Sequence, residues 1–287
     1  MEPRLAALLS AAPPRPERIV CLTEETTETL YRIGAGDLVV GVSGFTVRPP
    51  EARRKPRVSS FLSADAERIL ALRPDLVVGF SDLQADIARD LVRRGVAVLI
   101  TNQRSVAEIL ETIRAVTALV GRGDEGEALA RELIAGLDRT ADKAASLPRR
   151  PRAFFEEWPE PLIAGIRWVS ELLEIAGADD VCAETRSEQG ARGRVVAAEE
   201  VARRGPDVVV ASWCGKKASR ERIRTRAGWD AVTAVRDDQL YEVKSALILQ
   251  PGPAALGDGV AALARIVAAA ARGERLPARR EGDLRAA

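Results

Sequence analysis

The 287-residue sequence has no histidine, one methionine and three cysteines, and only 4% of its residues are aromatic. Without histidine it lacks the most common general base near neutral pH, the usual partner of a Ser or Cys nucleophile, and the commonest nitrogen ligand for metals. Cys21, Cys182 and Cys214 are too far apart in sequence for paired zinc ligands, so no metal site is expected. The odd, scattered set also offers no disulfide framework and suits a reducing compartment. No apolar stretch reaches the roughly 18 residues that a membrane helix needs, and no membrane insertion is expected. The one apolar run near the start, residues 5–9, is far shorter than a signal-peptide core, and Pro13, Pro14 and Pro16 follow it. The expected address is therefore cytoplasmic for the chain as written, and periplasmic or extracellular if its start is trimmed or misassigned.

Charge of one sign is also missing. Lys+Arg total 43 against 42 Asp+Glu, a formal net charge of +1, so no basic field is available to hold nucleic acid. What the sequence does have is alternation. β-Branched runs at 18–22, 37–43, 57–60, 75–79 and 96–100 are separated by helical patterns at 26–33, 65–72 and 84–93. Ser105 and Glu108 form a capping box that opens a helix to about residue 119, and a second long helical pattern runs over 125–146. Strand patterns resume at 152–157, 207–211 and 239–243. The fold class is α/β, with two Rossmann-like lobes of parallel strands. The expected divisions are an N-terminal lobe over 17–121, a linking helix over 122–148, a C-terminal lobe over 149–272, and loose tails at 1–16 and 273–287.

An internal echo supports two similar lobes. Glu67-Arg-Ile-Leu-Ala-Leu-Arg-Pro-Asp-Leu-Val-Val-Gly79 matches Glu199-Glu-Val-Ala-Arg-Arg-Gly-Pro-Asp-Val-Val-Val-Ala211. Each copy reads as a helix, a Pro-Asp turn and a buried strand. A weaker echo pairs Leu30-Tyr-Arg-Ile-Gly-Ala-Gly-Asp37 with Leu172-Leu-Glu-Ile-Ala-Gly-Ala-Asp179.

The few aromatics fall at strand ends. Phe45, Phe61 and Phe80 follow strands of the first lobe; Trp158 and Trp213 follow strands of the second, with Trp168 a short loop further on. Ligands of open parallel sheets bind at the carboxyl ends of the strands, so these rings are candidates for lining a cleft between the lobes. The alternative is that they seal the loops against the core. Polar candidates in the first-lobe loops are Glu24, Glu25, Arg48, Asn102 and Gln103; in the second lobe they are Arg167, Lys216 and Gln250, near Glu156 and Glu157. Apolar faces with scattered polar groups suit a large, flat, amphipathic ligand. Other motifs do not develop into sites. Gly121-Arg-Gly-Asp-Glu-Gly126 satisfies G-x-G-x-x-G but follows a helix where a dinucleotide site requires a strand, so it reads as a helix–helix connection. Cys214, beside Lys216 and Lys217, is the one candidate nucleophile, and an enzyme or cofactor-handling protein using it is the competing reading, with a ligand-controlled scaffold as a third.

Several segments, in order, resemble the periplasmic-binding-protein family of ABC importers for vitamin B12 and ferric siderophores. They are Arg18-Ile-Val-Cys-Leu-Thr23, Val40-Gly-Val-Ser43, Pro49-Pro-Glu-Ala52, Pro56-Arg-Val58, Ala66-Glu-Arg-Ile-Leu-Ala-Leu-Arg-Pro-Asp-Leu-Val77 and Gly95-Val-Ala-Val98. Of its members, the chain looks most like the vitamin B12-binding component. The resemblance implies a class III architecture, two lobes joined by a single long helix, and reversible binding of a corrinoid without any covalent cofactor. A ferric siderophore or haem is the alternative ligand, and an ABC permease the implied partner. On that resemblance Phe45 and Phe61 match the aromatics that flank the corrin, while Glu67 and Glu199 match the carboxylates that dock on the permease. Gly193 stands where those binders have a second-lobe tryptophan, and the acid and arginine of their site are missing near Leu247-Ile-Leu-Gln-Pro251.

Overall fold

A computed structural model describes residues 15–277 and 285–286; the expected loose ends at 1–14, 278–284 and 287 lie outside the described residues. The chain divides into two units. One holds residues through Asn102 together with Thr112–Leu129, and the other Gln103–Glu111 with everything from Ala130 onward.

The first unit is built on β1 (Ile19–Cys21), β2 (Val39–Ser43), β3 (Arg57–Ser59), β4 (Leu76–Phe80) and β5 (Val98–Thr101), arranged 3-2-1-4-5 with every neighbour parallel. Strands β1 and β4 are buried along their whole length, as expected of apolar runs covered on both faces. The crossovers are α1 (Glu24–Arg32), α2 (Ala66–Ala71) and α3 (Ala85–Arg93). Val20, Leu22, Val58, Ile69, Val77 and Leu91 form the core between strands and helices.

Helices α4 (Val106–Leu119) and α5 (Gly123–Ala145) each contribute residues to both units. The capping box forms as the sequence predicts: the Glu108 amide donates to Ser105 Oγ at 3.2 Å and the Ser105 amide to Glu108 Oε2 at 3.0 Å. The Gly121-x-Gly-x-x-Gly126 run is the turn between these helices and the start of α5. A Cβ on Gly126 would come within 1.8 Å of Thr117 Oγ1, so its glycine serves helix packing and not a phosphate.

In the second unit β9 (Val208–Ala211) lies between β10 (Leu240–Glu242) and β6 (Arg152–Pro159), all parallel. The short β11 (Arg285–Ala286) extends the sheet beside β10, and β8 (Asp179–Asp180) pairs with the start of β6. Sequence reading did not anticipate β7 (Leu162–Ala164), which turns back antiparallel on β6. At three residues it is too short to show a period. Helices α6 (Arg167–Ile175), α7 (Ala198–Arg204), α8 (Arg220–Arg224), α9 (Thr233–Arg236), α10 (Ser245–Ile248) and α11 (Val260–Ala271) complete the unit.

The sequence echo has a structural cause. In each copy a helix (α2, α7) ends in a left-handed residue, Arg73 at φ 47° or Gly205 at φ 57°, and Pro-Asp then leads into a buried strand (β4, β9). The aspartate pins the neighbouring strand by a reciprocal pair. Asp75 accepts the Arg18 amide and donates its own amide to the Arg18 carbonyl; Asp207 does the same with Arg152. Asp207 also receives the Arg149 and Arg152 guanidinium groups at 3.0 and 3.2 Å and is 14% exposed, whereas Asp75 is exposed. Replacing the better-shielded acid, D207A, is expected to cost about 2 kcal/mol, the scale of hydrogen bonds to a charged group, and D75A less than about half of that. Denaturant midpoints of the two variants check the ranking; equal losses would contradict it.

Candidate ligand-binding site

In the first unit, four of the exposed large apolar side chains follow the carboxyl ends of three strands of the one sheet. Phe45 (50% exposed) and Val47 come after β2, Leu62 (68%) after β3 and Leu83 after β4. An apolar rim at one end of a sheet whose strands β1 and β4 are buried throughout is a candidate binding surface. Phe61 is half-buried, with its ring centroid 6.4 Å from that of Phe80. Gln84 fixes both loops: its Oε1 accepts the Phe80 amide at 3.1 Å and its Nε2 donates to the Phe61 carbonyl at 3.0 Å. Phe80 itself is buried and supports Phe61 from behind. Asn102 is exposed just past β5.

Polar groups gather where β1 gives way to α1. Glu25 is 3% exposed; Thr23 Oγ1 donates to its Oε1 at 2.5 Å, and its Oε2 has no partner. Burial pushes its carboxyl up to about 8 and that of half-buried Glu24 to about 7. One turn on, Glu28 is paired with Arg48 of the β2 loop at 3.2 Å. Thr46 Oγ1, two residues before Arg48, is buried and also without a partner.

The second unit neutralises its acids instead. At the end of β6, fully buried Glu156 takes both terminal nitrogens of Arg226 at 2.9 and 3.1 Å, plus the Trp213 indole N–H at 3.2 Å. Glu157 is gripped by Arg194 at 2.6 and 2.9 Å. Sequence reading found the two acids but missed Arg194 and Arg226; a pair of acids at a buried strand end requires cations, yet both arginines sit outside the long periodic segments. Besides Phe80 and Glu25, three expected contact residues are buried. Trp168 (2% exposed) is in the core with its indole N–H on the Ile248 carbonyl at 2.9 Å, and Trp213 (5%) is packed beside Phe154 and Trp229, which leaves neither a ring face for a ligand. Gln103 is likewise buried, donating to the Pro251 carbonyl at 3.1 Å. Trp158 keeps part of its surface, and the exposed Lys216 ammonium stands 4.7 Å above its ring. Arg167 is exposed and paired with Glu171, and Gln250 is half-buried.

Glu67 and Glu199 occupy matching first-turn positions of α2 and α7. Both are exposed, and Glu67 is paired with Arg94 at 2.5 Å. Cys214 is exposed, whereas Cys21 and Cys182 are buried.

Two outcomes follow from these charges. Carboxyls raised in the folded state contribute stability that is full below the unfolded value of 4.5, declines as pH rises, and is gone above about 8. The urea midpoint should therefore be lower at pH 9 than at pH 5.5, and E25Q should reduce that difference; a midpoint that does not move contradicts the burial of Glu25. R226A, which strands Glu156 as an unpaired buried acid, is expected to cost about 3 kcal/mol by thermal or denaturant melting.

Comparison with known proteins agrees with this arrangement. Residues 19–247 match the periplasmic binding protein family. YvrC of Bacillus subtilis, an uncharacterized ABC transporter substrate-binding lipoprotein, is 27% identical over 262 residues, 88% of this chain and 80% of that protein. The structure of the periplasmic vitamin B12 binding protein BtuF of Vibrio cholerae is similar at TM-score 0.71 and 26% identity, covering 90% of this chain and 99% of that one. A periplasmic heme binding protein from Pseudomonas aeruginosa shares the fold at TM-score 0.77 and 21% identity, over 88% and 93% of the two chains. These relatives correct the expectation of a cytoplasmic address: a lipoprotein and periplasmic binders point to an extracytoplasmic location. They also remove the enzyme reading based on Cys214. The chain belongs to the periplasmic binding protein family, as a substrate-binding component of the ABC-importer type.

Proposed function

We propose that the solute is a corrinoid, held reversibly and without covalent attachment, and that an ABC permease receives it. The observation that carries this reading is the apolar rim of the first unit, where Phe45 and Phe61 offer ring surface at neighbouring strand ends. A flat macrocycle with apolar faces and polar edges matches such a surface. BtuF, which binds vitamin B12, supports the choice by its likeness over most of both chains. Composition weighs against haem. No histidine exists to serve as an axial ligand, and of the tyrosines and cysteines Tyr241, Cys21 and Cys182 are buried, which leaves Tyr31 and Cys214 as the phenol and thiol with exposed surface. A cobalamin brings its own axial base and asks for no protein ligand.

On the same reading Trp158, Arg167, Lys216 and Gln250 are the solute contacts of the second unit, and Asn102 joins those of the first. Glu67 and Glu199 are assigned to permease docking, supported by their matching exposed positions in the echo.

Protein mixed with cyanocobalamin, haemin or a ferric siderophore and then desalted should keep the corrinoid spectrum. Its calorimetric Kd should be micromolar or tighter, corresponding to about −8 kcal/mol. F45A should weaken it by roughly tenfold, the loss of one stacked ring together with its buried area. Retention of haemin or siderophore but not corrinoid would overturn the assignment.

A further inference from the structure

We propose that Glu24 and Glu25 form a subsite for an uncharged amide group of the solute, with Glu24 as the contacting carboxyl and Glu25 behind it. This rests on the corrinoid reading and names the chemistry that part of the site selects.

The acids open α1 just past β1, the central strand of the first unit's sheet, on the edge that carries the apolar rim. Glu24 keeps part of its surface, and Glu25 lies almost wholly buried with Oε2 unsatisfied. An unpaired buried polar atom is costly and is normally supplied with a partner. A second unsatisfied atom, Thr46 Oγ1, follows β2, the strand next to β1. The two loops are tied together close by. Arg48, two residues beyond Thr46, holds Glu28, one helical turn beyond Glu25. Thr46 stands between Phe45 and Val47, both exposed, so its loop belongs to the rim.

Charge decides which ligand group fits. The groups around Glu25 are Glu24, the Cys21 thiol, the Glu28–Arg48 pair, and the hydroxyls of Thr23 and Thr26. The causes of the Glu25 shift are its burial, Glu24, its own backbone amide and the two hydroxyls, with no cation among them. The Cys21 thiol, pushed up to about 12 by burial, remains neutral. Near neutral pH Glu25 is therefore mainly the free acid and Glu24 in front of it is partly so, and a free acid donates one hydrogen bond and accepts others. A primary amide is its complement, offering a carbonyl to accept and N–H groups to donate. A ligand carboxylate would meet two acids with no cation to balance it. Corrinoid amide side chains satisfy this requirement, whereas free propionates do not.

The test is calorimetry with cyanocobalamin and with a cobalamin monocarboxylate made by hydrolysing one side-chain amide, at pH 6.5 and 9. For the unaltered chain, Kd for cyanocobalamin should rise roughly tenfold between these values as Glu24 and Glu25 lose their protons. At pH 6.5 the amide form should bind better than the carboxylate. Glu24→Gln with Glu25→Gln should abolish the pH effect and narrow that preference. Glu24→Gln alone, at a half-buried position, should narrow the preference even if the double variant fails to fold, and melting curves report which variants are folded. A pH-independent Kd for the unaltered chain overturns the proposal while leaving the corrinoid reading intact. So does a pH effect that survives in the folded double variant. Failure to bind corrinoid at either pH overturns both.

Discussion

A parallel strand covered on both faces has no room for polar side chains along its length, and the rest of this protein follows from that constraint. Strands β1, β4 and β9 are buried throughout. Polar chemistry is displaced to their ends, where Thr23, Ser81 and Ser212 stand at or just beyond the last apolar residue, all buried. Aromatic and charged residues then collect in the loops beyond, because only there do they meet water or a solute. The position of the candidate site at the carboxyl edge is thus a consequence of how the sheet is built.

The two units share this plan and handle buried acid differently. In the second, Glu156 and Glu157 each receive an arginine in a two-nitrogen grip, and these pairs tie distant loops to the end of β6. Burial still raises the Glu156 carboxyl even against Arg226, a sign of how much desolvation the pair must offset. In the first unit no cation is among the groups that shift Glu25, and its burial favours protonation instead. The second unit has a rigid charged frame beneath its loops. The first has an adaptable, titratable one beside an apolar rim.

Much of the fold was legible because buried parallel strands and amphipathic helices leave strong periodic signals. The runs at 75–79 and 207–211 lie within a residue of β4 and β9, and the capping box gave the start of α4. The echo was legible for a sharper reason: in both copies a left-handed helix end turns through Pro-Asp into a strand and the aspartate pins the neighbouring strand, so the same residues recur. What escaped were elements without a period. The three-residue β7 and the short helices α8, α9 and α10 are held by tertiary contacts, not by local pattern.

The site was legible only by position. Strand-end spacing located Phe45, Phe61 and the acids, but spacing cannot say which way a side chain turns. Trp213 sits in a loop of the same kind as Phe45 and Trp168 in the first turn of α6, yet each has an indole N–H that finds an acceptor inward, at the Ile248 carbonyl or Glu156. Phenylalanine has no polar atom to satisfy, so nothing comparable draws Phe45 away from the rim. The difference between a ring that seals the core and one left open to a solute comes down here to one hydrogen-bond donor and whether the interior offers it a partner.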